Sequence, residues 1–381
     1  MDRLIVCQGT AQLVTAVAAL HRHQATLGPD GGRGRPRDHL LICGLAVAES
    51  QTQAFTRVIE QMAALLHPFS TISRLDDSDL AHVLRKARRA SSSAEIAALL
   101  RQATGIGNVD EVFAVRDWQA CNILAFNAFP EAIHICYGDS VGVYLPRGFM
   151  AGRPAVRSRI TGVLRRFLSS RSALFLTPRV DTSYLLLPGA FGMPPGGQVI
   201  RTEAAPLRDL FTHLGPLLDG VALDHLRARS MGRPVWVLMG SNFSEQGMMT
   251  PQAELAAYRD WIAALDPDPG AVLLIKSHPR DRTGKREHLE EQMRGLFSEI
   301  LSADSVGSAY LPVEALLINL MPIAADLRTL TVSTACLATT FVVGSRTEIG
   351  FGDQLVAKYV VANRRRERCQ HESDLRRLCA A

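Results

Sequence analysis

Apolar positions fall along the chain in two alternating rhythms, short continuous runs and longer stretches with helical spacing. Leu4-Ile5-Val6-Cys7 is a run of strand length, Gln8-Gly9-Thr10 reads as a turn, and Ala11 to His21 spaces its apolar residues as a helix does. A loop rich in Gly, Pro and Arg, Gly28 to Asp38, leads into a second strand, His39 to Ala46, and completes a βαβ unit. Phe55 to Leu66 and Ala81 to Leu100 predict helices, Glu111 to Val115 a strand, Trp118 to Phe126 a helix and Ala132 to Tyr137 another buried strand. Strands alternating with helices predict a mainly parallel α/β sheet, because parallel neighbours need a crossover that a helix supplies.

After Asp139 the pattern weakens into a basic stretch, Arg153 to Arg171, and a Pro/Gly-rich stretch, Pro188 to Gly197. The strand-helix rhythm then restarts. Pro234 to Met239 predicts a strand, Gly240 to Gly247 a polar loop, Thr250 to Ala264 a helix and Ala271 to Ile275 the next strand. A chain of 381 residues is long enough for two cores. The expected domains are 1–205 and 206–381, with the final helix packing back on the first.

Composition adds mainly exclusions. Hydrophobic residues make up 47% and charged residues 21%, as in ordinary folded globular proteins. The longest apolar stretches, such as Ala271 to Ile275 and Ala315 to Leu320, are far shorter than the roughly 20 residues that cross a bilayer. Leu4 to Cys7 is too short for the apolar part of a signal peptide, so a cytoplasmic protein is expected. The cysteines, Cys7, Cys43, Cys121, Cys136, Cys336, Cys369 and Cys379, are scattered with no C-x-x-C pair, which predicts small buried hydrophobes and no zinc or redox motif. A net charge of +5 is too mild to indicate nucleic-acid binding.

Several clusters carry candidate chemistry. Lys276-Ser277-His278-Pro279-Arg280-Asp281 follows a predicted strand directly, and ligands of open α/β sheets bind beyond strand ends. Pro279 biases His278 towards an extended backbone, between cations that suit a phosphate. Val332-Ser333-Thr334-Ala335 sets two hydroxyls before a helix expected near Ala335, a place for an anion or for an ordinary N-cap. Glu314 precedes the apolar Ala315 to Leu320, either as a first-turn carboxylate favoured by the helix dipole or as an acceptor for ribose hydroxyls. Gly240-Ser241-Asn242-Phe243-Ser244 allows close backbone approach to a ligand, although such loops are common. Asp139, after Tyr137-Gly138, suits a general base or a turn. Arg153, Arg157, Arg159, Arg165, Arg166 and Arg171 lie among apolar residues in a basic amphipathic segment, which suits an anionic lipid surface, an acidic glycan or plain solvent.

Taken in order, Gly9-Thr10-Ala11-Gln12-Leu13, Tyr137-Gly138-Asp139, Gly240-Ser241-Asn242-Phe243-Ser244-Glu245, Lys276-Ser277-His278-Pro279, Pro312-Val313-Glu314 and Ser333-Thr334 resemble the bacterial alpha-2,8-polysialyltransferases and their lipooligosaccharide sialyltransferase relatives. That resemblance implies the GT-B architecture, two Rossmann-like domains facing a central cleft. It implies that His278 contacts the phosphate of a CMP donor, that Ser333 and Thr334 make a second phosphate contact, and that Glu314 binds the ribose. Gly240, Ser241, Lys276 and Pro279 then line the donor pocket. The family's acidic motif has two carboxylates before a glycine, whereas this chain has Gly138-Asp139-Ser140, so Asp139 takes the base role in an altered register.

The expectation is an inverting glycosyltransferase moving sialic acid, or a related nonulosonic acid, from a CMP donor to a hydroxyl of a cell-surface glycan. Neither metal nor cofactor is expected, since one phosphate can be neutralised by these side chains and no Asp-x-Asp motif is present. The Arg153 to Arg171 segment would hold the protein at the inner membrane face. A nucleotide-sugar epimerase of the same fold, or an inactive glycan-assembly subunit, is the alternative. Should Asp139 not be the base, Asp117, Glu131 and Asp181 come next.

Overall fold

The structure is a computed structural model that describes residues 1–27, 36–45, 47, 49–115, 120–138, 174, 180–188, 197–282, 284–307 and 309–380. Asp139, Asp117 and the basic segment Arg153 to Arg171 lie outside the described residues. The chain divides into two compact units, Met1–Glu203 and Ala204–Ala381.

In the first unit, β1 (Asp2–Cys7), β2 (Arg37–Cys43), β3 (Thr71–Leu75), β4 (Glu111–Ala114), β5 (Ile133–Tyr137), β6 (Thr182–Leu185) and β7 (Gln198–Arg201) form a parallel sheet in the order β3-β2-β1-β4-β5-β6-β7. The crossovers include α1 (Thr10–Thr26), α2 (Glu49–Leu66), α3 (Asp77–Ala87), α4 (Ser93–Thr104) and α5 (Ala120–Ala128). The single helix expected over Ala81 to Leu100 is two. Ser92 accepts from the Glu95 amide while Ser91 donates to the Glu95 carboxylate, and this reciprocal cap starts a new helix.

The second unit opens with α6 (Ala204–His213) and α7 (Gly220–Ser230). Its sheet, in the order β10-β9-β8-β11-β12, consists of β8 (Pro234–Met239), β9 (Val272–Lys276), β10 (Glu299–Ser302), β11 (Asp326–Thr331) and β12 (Arg346–Ile349), all paired in parallel. The remaining helices are α8 (Pro251–Ala264), α9 (Lys285–Met293), α10 (Val313–Leu320), α11 (Asp353–Tyr359) and α12 (Arg365–Cys379). Helix α12 packs on α11 and β12.

The period of two along β8 and β9 explains why both read as unbroken apolar runs. Val235, Val237, Val272 and Leu274 face α7 and α10, while Trp236, Leu238, Leu273 and Ile275 face α8 and α9. Burial of each such side chain contributes about 1.5–3 kcal/mol. Two buried faces leave the polar loops at the strand ends as the place where chemistry can sit. Among the described residues, no helix is long and apolar enough to cross a membrane.

Candidate active site

The chain runs from β8 out to β9 and β10, then crosses to β11 on the other side of β8. The order therefore reverses between β8 and β11, where ligands of open α/β sheets bind at the carboxyl ends of the strands. Three of the motifs end up side by side there. Gly240 and Ser241 follow β8, Ser277, His278 and Pro279 follow β9, and Ser333 and Thr334 follow β11 after Val332.

The first two loops touch. The Gly240 amide donates to the Lys276 carbonyl at 2.8 Å. A Cβ on Gly240 would stand 3.1 Å from that carbonyl oxygen and 3.2 Å from the His278 nitrogen, so a side chain there would push the loops apart. Glycine allows the close approach.

His278 is locked into a tight turn with Pro279 at its second position, where proline's fixed φ fits. The Asp281 amide donates to the His278 carbonyl at 2.9 Å, and the His278 amide donates back to Asp281 Oδ2 at 2.8 Å. The Arg280 amide donates to His278 Nδ1 at 3.1 Å. That bond assigns the neutral tautomer with its proton on Nε2. Burial, followed by the nearby positive charges of Arg280 and Lys285, lowers the His278 pKa to about 4, so the ring is neutral at physiological pH.

Lys276 is not an open cation. Its Nζ donates to Asp304 Oδ1 at 2.9 Å and to the Ala309 carbonyl at 2.6 Å, and burial lowers its pKa against the pull of Asp304 and Glu314. Glu314 sits in the first turn of α10 and is 3% exposed, with its charge felt at Lys276.

The helix expected near Ala335 begins at Cys336 and continues as a π-helical segment at Ala338–Val343. Before it, Ser333 Oγ lies 3.2 Å from Thr331 Oγ1 and accepts from the Ala335 amide at 3.4 Å. The two hydroxyls thus sit on a loop between strand and helix.

A buried lysine that the sequence reading passed over holds the β8 and β9 loops together. Lys285 Nζ donates to the Ser241 carbonyl and lies 3.2 Å from Glu245, 2.9 Å from Glu254 and 3.0 Å from Asp281. Glu254, fully buried, also accepts from the Phe243 and Ser244 amides at 3.3 and 2.9 Å. The only sequence signal for this knot is the four-residue spacing of Asp281 and Lys285. Burial raises the Asp281 pKa to about 6 in spite of Lys285 beside it.

These opposite shifts predict opposite pH behaviour. Between pH 4 and 6 the folded state holds a proton on Asp281 that the unfolded chain releases, so Asp281 contributes stability at the acid end that fades as pH rises. His278 does the reverse up to its unfolded pKa of about 6.5. Relative to wild type, Asp281→Asn should therefore gain stability from pH 4 to 6 while His278→Ala loses it. Urea denaturation at several pH values measures both, and parallel profiles for the three proteins would refute the assignment.

In the first unit, the described residues stop one short of Asp139. Gly138, with φ at 108°, follows β5 directly, and the Tyr137 hydroxyl donates to the Val6 carbonyl at 2.5 Å. Glu131 and Asp181 sit at the opposite, N-terminal ends of the strands, before β5 and β6, where Asp181 accepts from the His134 amide at 3.0 Å. Among the described residues, no group of three or more His, Cys, Asp and Glu side chains is placed to hold a metal ion.

No curated protein matches the chain. Among solved structures, UDP-GlcNAc 2-epimerase from Neisseria meningitidis, bound to UDP-GlcNAc, is similar with a TM-score of 0.50 at 9% identity, over 97% of this chain and 90% of that one. An alpha/beta-galactoside alpha-2,3-sialyltransferase from Photobacterium phosphoreum is similar with a TM-score of 0.49 at 10% identity, over 99% and 96%. The architecture is that expected from the motifs, an α/β fold of two Rossmann-like units of GT-B type. Residues 162–325, the stretch that holds Gly240, Ser241, Lys276, His278, Pro279 and Glu314, match the sequence model of the alpha-2,8-polysialyltransferase family.

Proposed function

We propose that the chain is an inverting sialyltransferase, moving sialic acid or a related nonulosonic acid from a CMP donor to a hydroxyl of a surface glycan. The observation that carries this reading is the family match over residues 162–325, which hold the His278 motif, together with the placement of the His278 and Ser333-Thr334 loops after β9 and β11, on either side of β8.

His278 acts at the donor phosphate. Its Nδ1 is occupied by the Arg280 amide, which leaves Nε2–H to donate to a phosphate oxygen. As the bond to the sugar breaks, the phosphate gains negative charge. That charge raises the proton affinity of the nearby imidazole and strengthens the hydrogen bond in the transition state. Ser333 and Thr334 donate to the same phosphate from the β11 side, and Lys276 with Glu314 lies at the nucleoside end. Asp139 takes the proton of the acceptor hydroxyl. No divalent cation has a step in this scheme, and a donor with one phosphate suits neutral donors backed by Arg280.

Thermal shift with nucleotides tests the donor assignment. CMP should raise the midpoint more than UMP or UDP at equal concentration, since a ligand that binds the native state stabilises it by mass action, and EDTA should change neither. A larger shift with UDP would move the reading to a UDP-sugar enzyme, and a shift abolished by chelator would show that a metal takes part.

A further inference from the structure

Helix α12 reads as a strongly charged surface helix, yet Arg368 within it is 4% exposed. Its Nε donates to Glu372 Oε1 at 2.8 Å and its Nη2 to the Val332 carbonyl at 2.7 Å. The guanidinium carbon lies over the Phe243 ring, 4.8 Å from its centroid. Glu372 is fully buried and is itself held by the Gly352 amide at 2.9 Å and Arg376 at 3.0 Å. A Cβ on Gly350 would stand 2.4 Å from the Glu372 carboxyl carbon, so the helix presses directly on the loop after β12.

The two groups that Arg368 joins are the two halves of the candidate donor site. Val332 C=O and Ser333 N–H belong to one planar peptide. Arg368 holds its oxygen, and Thr331 Oγ1 accepts from its N–H at 3.2 Å, so the peptide that carries Ser333 is fixed at both ends. Phe243 belongs to the loop that opens with Gly240-Ser241. A guanidinium combines a directional fork with a flat cationic face, and an ammonium offers neither.

We propose that Arg368 is a positioning residue of the donor site, clamping the Val332–Ser333 peptide against Phe243 and so setting the separation between the Ser333-Thr334 hydroxyls and the Gly240–Ser244 loop. The proposal rests on the donor-site reading above. Glu372 orients the guanidinium, and Arg368 itself touches no substrate.

The test compares full-length wild type with Arg368→Lys, Ser333→Ala and the double variant, measuring CMP affinity and steady-state kinetics with CMP-sialic acid. Arg368→Lys should weaken CMP binding and raise KM about tenfold, the loss of one charge-assisted hydrogen bond in a buried setting, with kcat changed far less and circular dichroism unchanged. Because Ser333 acts through the clamped peptide, the double variant should be no weaker than Arg368→Lys alone, whereas adding His278→Ala should impose its full further loss. Wild-type affinity in Arg368→Lys, or losses from Arg368→Lys and Ser333→Ala that simply add, would overturn the proposal. Should Arg368→Lys not fold, Phe243→Leu keeps the apolar bulk without the ring face and should raise KM about threefold, and an unchanged KM there would equally overturn it. If wild type itself binds no CMP, the donor-site reading fails and the clamp falls with it. If wild type binds CMP and the variants match it, only the clamp fails.

Discussion

Lys285→Met is expected to destabilise the protein by about 3–5 kcal/mol, the usual consequence of removing one member of a buried charge cluster and leaving the others uncompensated. Met matches the stem but leaves Glu245, Glu254 and Asp281 facing one another without their shared cation. It also releases the Ser241 carbonyl. The loss should be largest near neutral pH, and smaller at pH 5, where Asp281, with its pKa raised to about 6, is protonated. Urea denaturation followed by far-ultraviolet circular dichroism measures it. A change below about 1 kcal/mol would mean that the cluster behaves as a solvated surface pair.

The second large effect concerns turnover. His278→Ala should lower turnover of CMP-sialic acid by about 10²-fold or more and weaken CMP binding as well, because its proposed partner is the donor phosphate. Asp139→Asn should lower turnover by a similar factor of about 10² or more while CMP affinity stays near that of wild type, because its partner is the acceptor hydroxyl. Near-normal transfer by a folded Asp139→Asn protein would place the base elsewhere. Glu131 and Asp181 are weakened as replacements by their position at the N-terminal ends of β5 and β6, which leaves Asp117 as the first to examine.

The fold was legible where buried strands form unbroken apolar runs, whereas β6, Thr-Ser-Tyr-Leu, went unread although it pairs on both sides. β1, β8 and β9 are unbroken apolar runs because helices cover both sides of their sheets. The edge strands escaped notice for the opposite reason. β3 is Thr-Ile-Ser-Arg-Leu, β10 Glu-Ile-Leu-Ser and β12 Arg-Thr-Glu-Ile, each paired on one side only and partly exposed, where polar residues guard against unwanted pairing. The break between α3 and α4 was written in Ser91, Ser92 and Glu95, but helical spacing on either side hid it.

The same contrast holds at the site. His278 stood out because its motif is contiguous and follows a strand directly. The Lys285 knot draws partners up to 44 positions away, and Glu254 alone looks like any carboxylate in a first helical turn. Arg368 sits among arginines and glutamates on α12, and nothing local marks it as the one that reaches Val332 and Phe243. Contacts of this kind are specified by tertiary packing, and a local pattern does not carry them.

Sialyl transfer from a CMP donor is read out by product formation from wild-type protein given CMP-sialic acid and a sialylated oligosaccharide, with EDTA present. The expected result is release of CMP matched by the appearance of an extended oligosaccharide with inverted configuration at the transferred sugar. Intact CMP-sialic acid under conditions where a UDP-sugar is consumed would contradict it.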